Sequence, residues 1–192
     1  LIHGEAAHSG LDPTSGASAI QELANVVHQL HGLTDLERGI TVNVGVVQGG
    51  TRVNVKAAEA EAEVDVRVAS MDDGEAVTHA IRGLTPRTPG TTLEVLGGIQ
   101  APPLERTPRN RRLWEAARAA GNRLGIELEE GTSGGASDGN TTSQYAATLD
   151  GLGSLGDGAH ALHEHVVAKA LPSRAALLAE LLLSPVSSGD EW

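Results

Sequence analysis

Residues suited to catalysis or metal binding are concentrated in two neighbouring stretches of the chain, residues 131–140 and 149–166. The stretches combine glycines and hydroxyl side chains with acidic residues and three histidines, His160, His163 and His165. Glycine-rich loops that carry such side chains between helix-like segments are typical of sites built at the ends of strands. We therefore expect the functional site to include these loops, with the remainder of the chain as its scaffold.

A glycine-x-serine-x-glycine pattern around Ser133 matches the nucleophile elbow of serine hydrolases. Acids and histidines follow in the chain order of a catalytic triad, namely Asp150 or Asp157 and then His160 or His163. The elbow needs several core strands before the serine, whereas the run at residues 125–130 is short and acidic. A glycine-rich loop explains Ser133 equally well, so a serine hydrolase is kept only as an alternative.

Two other familiar patterns fail on context. Residues 151–156 have the glycine spacing of a dinucleotide fingerprint, but one helix follows them where a strand-helix-strand unit is required. His163 and Glu164 begin like a zinc-binding helix, but Val167 occupies the position of the second histidine. We therefore interpret the glycines as a flexible turn and exclude the helical zinc motif.

The composition indicates a globular protein and argues against several classes of function. Of the 192 residues 40% are hydrophobic, which is enough for a core, and the net charge is −11. Scattered basic residues and an aromatic content of 2% argue against nucleic-acid binding. We expect neither a membrane span nor a secretory leader, because no apolar run has the required length. Without cysteine, metal ligands must be His, Asp or Glu; the compartment stays open, with a slight preference for the cytoplasm.

Hydrophobic periodicity predicts a mixed α/β (α+β) domain over residues 1–101. We expect a strand through residues 1–8, a helix over 15–31, strands over 40–46 and 58–68, a helix over 72–84 and a strand over 91–96. In residues 58–68 alanines and valines alternate with four acids and Arg67, which places Arg67 on the polar face. The order β-α-β-β-α-β is that of ferredoxin-like domains and predicts an antiparallel sheet with two helices on one face.

Residues 102–192 are predicted to form an incomplete α/β segment. We expect a helix over residues 108–124, a strand near Ile126, a helix after Asn140, a strand through Leu149, a helix over 173–183 and a frayed tail over 184–192. Two strands do not make a stable sheet, so the missing partners must come from elsewhere, and we expect an exposed apolar surface. Because the chain also begins with Leu1, we expect it to be a piece of a longer polypeptide.

The pattern resembles the M20 family of metal-dependent peptidases and deacylases, most closely the glutamate carboxypeptidase branch. Three elements carry the resemblance in the second half: a Gly-Gly-Ala-Ser-Asp-Gly-Asn segment at 134–140, an Asp-Gly-Leu-Gly segment at 150–153, and a Gly-Ala-His loop at 158–160. The resemblance implies that His160 is a metal ligand. It also implies that Glu164 belongs to the motif without being a ligand, and that Gly135 helps to bind substrate.

The first half carries the same resemblance. Segments at 4–10, 49–54 and 64–67 are similar to landmarks of the dimerisation domain of M20 enzymes. The resemblance implies that His8 is catalytic, reaching into the partner subunit's active site to stabilise the oxyanion, and that Asn54 and Arg67 hold the substrate, with Arg67 gripping its carboxylate. From the pattern alone, ordinary structural roles for His8 and Arg67 would be favoured. Lys56-Ala57 departs from the family, which often has an apolar residue and proline there.

The resemblance further implies two zinc ions, held mainly by residues of a catalytic half that precedes the dimerisation domain in the family. This chain offers one recognisable ligand, His160, where a catalytic zinc normally needs three protein ligands. We expect the C-terminal portion of a homodimeric zinc peptidase or amidohydrolase that acts on small peptides or N-acyl amino acids ending in a carboxylate. We expect the chain to be inactive alone. A non-enzymatic assembly module that pairs through its sheet is the alternative from another class.

Overall fold

The computed structural model of the protein describes residues 1–184. The chain divides into two compact units, Leu1–Pro103 and Leu104–Trp192. The tail predicted over residues 184–192 lies outside the described residues except for Ser184, which ends the last helix.

The first unit contains an antiparallel sheet and two helices. Its elements in chain order are β1 (Ile2–His3), α1 (Ala19–His31), β2 (Thr41–Gly49), β3 (Glu59–Arg67), α2 (Met71–Arg82) and β4 (Thr92–Leu93). The strands lie in the order β2-β3-β1-β4, and each pair is antiparallel. This topology confirms the predicted ferredoxin-like fold, although β1 and β4 are much shorter than the expected strands.

Both helices of the first unit begin at a serine that caps the first turn. Ser18 Oγ accepts the N–H of Gln21 at 3.3 Å, and Ser70 Oγ accepts the N–H of Asp73 at 3.2 Å. A side-chain acceptor at this position satisfies an amide that has no partner within the helix. The Ser18 cap explains why α1 begins later than residue 15, where the prediction placed it.

The core of the first unit lies between the helices and the sheet. Its buried members are Ile2, Ala19, Leu23, Val26, Leu30, Ile40, Val42, Ala57, Ala60 and Val77. The chain has no phenylalanine, so aliphatic side chains fill this space. Full burial of a leucine, isoleucine or valine contributes about 1.5–3 kcal/mol, and these contacts hold both helices against the sheet.

A β-bulge in β2 changes which side chains share the polar face. Val44 lies opposite Val64, but the next pair is Val46 opposite Glu63, so one extra residue is inserted at Gly45. Val46 consequently lies on the side of Glu63 and is 44% exposed. The alternation in β3 predicted its acidic face correctly, but the periodicity of β2 did not predict an exposed valine beside it.

Glu22 of α1 is a fully buried carboxylate. Its oxygens accept the backbone N–H groups of Arg87 at 3.1 Å and Thr88 at 2.6 Å, and the side-chain amide of Asn25 at 3.2 Å. Burial raises the pKa of Glu22, but the hydrogen bonds from Thr88, Arg87 and Asn25 lower that pKa more, so it lies below its ordinary value. Glu22 therefore ties α1 to the turn that precedes β4.

The second unit is mainly helical in its described part. Its elements are α3 (Pro108–Arg123), α4 (Asp138–Thr142), the two-residue strands β5 (Gly156–Asp157) and β6 (His165–Val166), and α5 (Leu171–Leu183). Helix α3 packs against α5, and Ala117, Ala120 and Leu177 are fully buried on these helices. Strands β5 and β6 pair as an antiparallel hairpin, which the sequence did not predict.

The strands predicted near Ile126 and through Leu149 are wrong, because the described backbone is irregular at both places. The N–H of Ile126 donates instead to the carbonyl of Gly121 at 2.8 Å, which closes the end of α3. A strand needs a neighbour to satisfy its backbone groups, and the described part of this unit provides none there. Both segments carry strand-like side chains without a sheet to join.

Large apolar side chains are exposed in the second unit, as expected. Leu162 is fully exposed, and Tyr145, Leu182 and Leu183 are each more than three-quarters exposed. Among residues 1–184, no helix combines the length and apolar character needed to cross a bilayer.

Candidate functional site

His8 lies where the beginning of the chain runs antiparallel to the segment that leads into β3. It forms an isolated bridge with Val55, and the N–H of Lys56 donates to the carbonyl of Ala7 at 2.9 Å. The strand predicted through residues 1–8 is therefore interrupted after β1 and resumes briefly at His8. This short pairing places the His8 side chain at one end of the sheet, where it is exposed.

Two backbone amides hold the imidazole of His8. Its Nδ1 accepts the N–H of Gly10 at 3.2 Å and the N–H of Leu11 at 3.1 Å. A ring nitrogen that accepts hydrogen bonds carries no proton, so in the neutral ring the hydrogen lies on Nε2. The His8 side chain therefore presents an N–H donor at its outer end.

Asn54 lies beside this donor. Its Nδ2 atom is 3.3 Å from His8 Nε2. Since the oxygen and nitrogen of an amide are assigned from the hydrogen-bond network, a protonated Nε2 favours the orientation in which Asn54 Oδ1 faces the ring. The fold thus brings together two predicted site residues that are 46 positions apart in the sequence.

Arg67 lies at the other end of the sheet. It is the last residue of β3, opposite Thr41, and its Nε donates to Asp65 at 2.9 Å. The nine residues of β3 span about 26 Å at 3.3 Å per step, and the segment that holds His8 precedes the strand. Within one chain, the fold therefore does not bring Arg67 to His8 and Asn54.

Lys56 was noted in the sequence only as a departure from the M20 pattern. Its Nζ donates to the carbonyls of Pro13 at 3.0 Å, Ser15 at 2.5 Å and Gly16 at 3.4 Å. These carbonyls belong to the loop that follows His8. Sequence reasoning missed this contact because nothing in the local pattern pairs residue 56 with residues 13–16.

The glycine-rich segment at residues 131–140 leads into α4. Ser137 caps this helix, its Oγ donates to Asp150 at 2.6 Å, and the N–H of Gly151 donates to the same carboxylate at 2.7 Å. The Ser137 hydroxyl and then the Gly151 amide hold the pKa of Asp150 below its ordinary value, against the opposing effect of burial. Two motif segments of the second unit are thereby joined.

Gly135 and Ser133 lie together in an exposed part of this segment. The N–H of Gly135 donates to Ser133 Oγ at 3.2 Å. Among the described hydrogen bonds, Ser133 has no histidine partner, and Asp150 binds Ser137 instead. This arrangement gives no support to a serine nucleophile, which needs a neighbouring base.

His160 lies in the loop that joins β5 to β6. Its φ is +65°, the only positive φ of a non-glycine residue in the described chain. Its backbone N–H donates to Glu164 Oε2 at 3.3 Å. A left-handed backbone at such a residue costs energy and is common at functional sites, and here the Glu164 carboxylate helps to hold it.

The described residues do not form a complete metal site. Among them, no group of three or more histidine, aspartate or glutamate side chains is placed to hold an ion. His160 has two neighbouring histidines in sequence, but one ligand falls short of the three that a catalytic zinc requires. The donor set of residues 1–184 alone therefore does not fit the metal centre that the M20 resemblance implies.

Comparison with protein families identifies the first unit. Residues 2–92 match the family described as the M20 peptidase dimerisation domain. Carboxypeptidase G2 of Pseudomonas sp. (strain RS-16) is 28% identical over 194 residues, which cover 95% of this chain and 45% of that protein. The chain therefore spans about half the length of this relative.

Solved structures show the same fold. Aminopeptidase PepT of Bacillus cereus matches with a TM-score of 0.72 and 20% identity, over 94% of this chain and 48% of that one. The YXEP protein of Bacillus subtilis, described as a dinuclear metal-binding peptidase of the M20 family, matches with a TM-score of 0.57 and 16% identity, over 94% of this chain and 48% of that one. Residues 2–92 therefore belong to the M20 peptidase dimerisation-domain family, and the fold shared with the solved structures extends over nearly the whole chain.

Proposed function

We propose that this chain is the dimerisation domain and the closing part of the catalytic domain of a metal-dependent M20 peptidase or amidohydrolase. Its substrates would be small peptides or N-acyl amino acids with a free carboxylate, as in the glutamate carboxypeptidase branch. The family match and the likeness to carboxypeptidase G2 along nearly the whole chain support this proposal. In this proposal residues 1–101 form the dimerisation domain and residues 102–192 belong to the catalytic domain, a division close to that between the two compact units.

The observation that carries the proposal is the separation of His8 and Asn54 from Arg67. About 26 Å of strand lies between them, which is longer than a dipeptide can span. If all three act on one small substrate, they must come from different subunits. A homodimer in which one subunit provides His8 and Asn54 and the other provides Arg67 satisfies this requirement.

The sheet offers an edge for such a dimer. Strand β2 is at the outside of the sheet, is nine residues long, and carries Val46 and Val47 with 44% and 54% exposure. Two copies that pair antiparallel along β2 are related by a two-fold axis perpendicular to the sheet. In the joint sheet, this axis places the strand ends that carry Arg67 in one copy at the same edge as the strand ends near His8 in the other copy.

The chemistry of each residue fits its proposed task. The guanidinium of Arg67 can bind a substrate carboxylate through two parallel hydrogen bonds. The Nε2–H of His8, held outward by the amides on Nδ1, can donate to the oxyanion that forms when a carbonyl is attacked. Asn54, whose side-chain amide lies 3.3 Å from His8 Nε2, would orient the His8 ring and contact the substrate. Gly135 would contribute to the substrate-binding loop.

For the metal, we propose that His160 is one ligand of a zinc site completed by residues outside this chain. Its exposed position in the β5–β6 loop is compatible with that task, and the described residues alone do not complete a site. The chain alone is therefore expected to be inactive.

The test compares the complete polypeptide, which contains the catalytic half, with the 192-residue chain. We expect the complete polypeptide to hydrolyse an N-acyl glutamate in the presence of Zn²⁺, and to hydrolyse the corresponding glutamate diamide at least tenfold more slowly. The 192-residue chain should form a dimer of about twice 19.7 kDa and hydrolyse neither substrate. A dimeric complete polypeptide that hydrolyses no amide would favour the assembly module, and activity without metal would contradict the proposal.

A further inference from the structure

We propose that Lys56 is a positioning residue for His8, because its ammonium group holds the loop at residues 9–16 and thereby fixes the tautomer of the imidazole. This inference rests on the proposed function only in giving His8 a catalytic task. The contacts that carry it lie within the first unit.

The Lys56 side chain crosses from the segment before β3 to this loop. Its Nζ donates to the carbonyls of Pro13, Ser15 and Gly16 at 3.0, 2.5 and 3.4 Å. An ammonium group has three N–H donors, so these three acceptors use its full capacity. A solvated surface lysine would leave its donors to water, whereas Lys56 directs all of them into one loop.

The same loop provides the groups that hold the His8 ring. The N–H groups of Gly10 and Leu11 donate to Nδ1, and the N–H of Asp12 donates to the His8 carbonyl at 3.0 Å. The first half of the loop therefore folds onto His8, and the second half is held by Lys56. If the second half moves, the two amides lose their alignment with Nδ1.

The close packing at the end of the loop makes this coupling effective. Gly16 has a φ of +71°, and a Cβ at this position would lie 2.6 Å from the carbonyl oxygen of Glu5. The main chain of Lys56 also binds Ala7, the residue before His8, at 2.9 Å. Lys56 thus holds the chain on both sides of His8. Its backbone N–H binds the residue before the histidine, and its ammonium group binds the loop after it.

The functional consequence concerns the outer nitrogen of the ring. While Nδ1 accepts hydrogen bonds from two backbone amides, the neutral ring carries its hydrogen on Nε2. The ring then presents an N–H donor toward Asn54 and toward any oxyanion beside it. If the loop is released, Nδ1 can take the hydrogen and Nε2 becomes an acceptor. An acceptor at that position would repel an oxyanion.

The test is an NMR measurement of the ring nitrogens of His8 in the 192-residue chain, assigned with a His8→Gln variant. In the unaltered chain we expect the Nε2–H tautomer to dominate. In Lys56→Met, the Nδ1–H population should rise about threefold or more, which corresponds to the loss of roughly one net hydrogen bond. Lys169→Met is the matched control, because Lys169 is the only other lysine in the sequence, and it should leave the tautomer unchanged. Lys56→Arg should restore part of the Nε2–H population, since it keeps the charge and the donors.

A folded Lys56→Met chain with an unchanged His8 tautomer would overturn the inference. A second measurement uses the unaltered chain and is independent of how the variants fold. In reductive methylation, Lys56 should react about tenfold more slowly than Lys169, because its donors are engaged. Equal methylation rates for the two lysines would also overturn the inference. Neither measurement requires enzymatic activity, so the proposed function can fail while this inference stands.

Discussion

Replacing Glu22 should destabilise the first unit far more than replacing an exposed glutamate. In Glu22→Ala, the partly buried N–H groups of Arg87 and Thr88 lose their acceptor. Each unsatisfied buried group costs about 1–3 kcal/mol, so we expect a loss of about 2–4 kcal/mol once partial hydration is allowed for. For a unit of this size, each kcal/mol lowers the Tm by about 4–8 °C.

Glu22→Gln tests whether the carboxylate itself is required. Both carboxylate oxygens accept a backbone N–H, whereas glutamine has one acceptor and would turn its NH₂ group toward the second amide. We expect a loss of about 1–3 kcal/mol in spite of the equal size. Glu37→Gln, at an exposed position, is the matched control and should change stability by less than about 0.5 kcal/mol.

The stabilisation that Glu22 provides should depend on pH in a definite direction. The pKa of Glu22 is lower in the folded protein than in the unfolded chain, so its contribution is fully present above the unfolded pKa and is lost as the pH falls through the folded pKa. The difference in unfolding free energy between the unaltered chain and Glu22→Gln should therefore shrink as the pH falls below about 4.

Urea unfolding followed by far-UV circular dichroism measures these differences. Tryptophan fluorescence provides an internal control, since Trp114 belongs to the second unit and residues 1–103 contain no tryptophan. A Glu22→Gln chain as stable as the unaltered one at neutral pH would contradict the stabilising role of the Glu22 carboxylate. So would a stability difference that grows on acidification.

Two further changes, each with a matched control, test the proposed site. In the proposed complete enzyme, Arg67→Ala should raise KM for a carboxylate substrate about 10- to 100-fold. The control Arg82→Ala should leave KM unchanged. Equal effects of the two substitutions would mean that Arg67 does not bind the substrate carboxylate. Gly156→Ala should disrupt the β5–β6 hairpin, because a Cβ there would lie 2.0 Å from the carbonyl of His165, and metal affinity should fall about tenfold or more. Gly153→Ala, which meets no atom within 4 Å, should leave that affinity unchanged, and a similar loss in both would contradict the positioning of His160 by the hairpin.

The fold of the first unit could be predicted because its signals are local. Alternation in residues 58–68 specifies β3, and helical spacing before and after it specifies α1 and α2. The bulge at Gly45 and the buried Glu22 could not be predicted in this way. Each depends on which residue of a distant segment lies opposite, and periodicity carries no such information.

The second unit shows the limit of strand prediction more clearly. The segments near Ile126 and Leu149 have suitable side chains, but a strand exists only with a partner, and the described chain provides none there. For the candidate site, motif order in the sequence points to His8, Asn54, Arg67 and His160, and their roles stay a prediction. Their spatial relation could not be predicted from motif order, because it depends on where β3 begins and ends.

The most direct test mixes two impaired variants of the proposed complete enzyme, His8→Ala and Arg67→Ala, at a substrate concentration well below KM. Each homodimer should lose most of its activity, since every site lacks one residue. In a mixed dimer, one site lacks both residues and the other has both, so random mixing should restore about a quarter of the activity of the unaltered enzyme. No recovery after verified subunit exchange would mean that His8 and Arg67 serve the same site from one chain, or do not share a site, and would contradict the account.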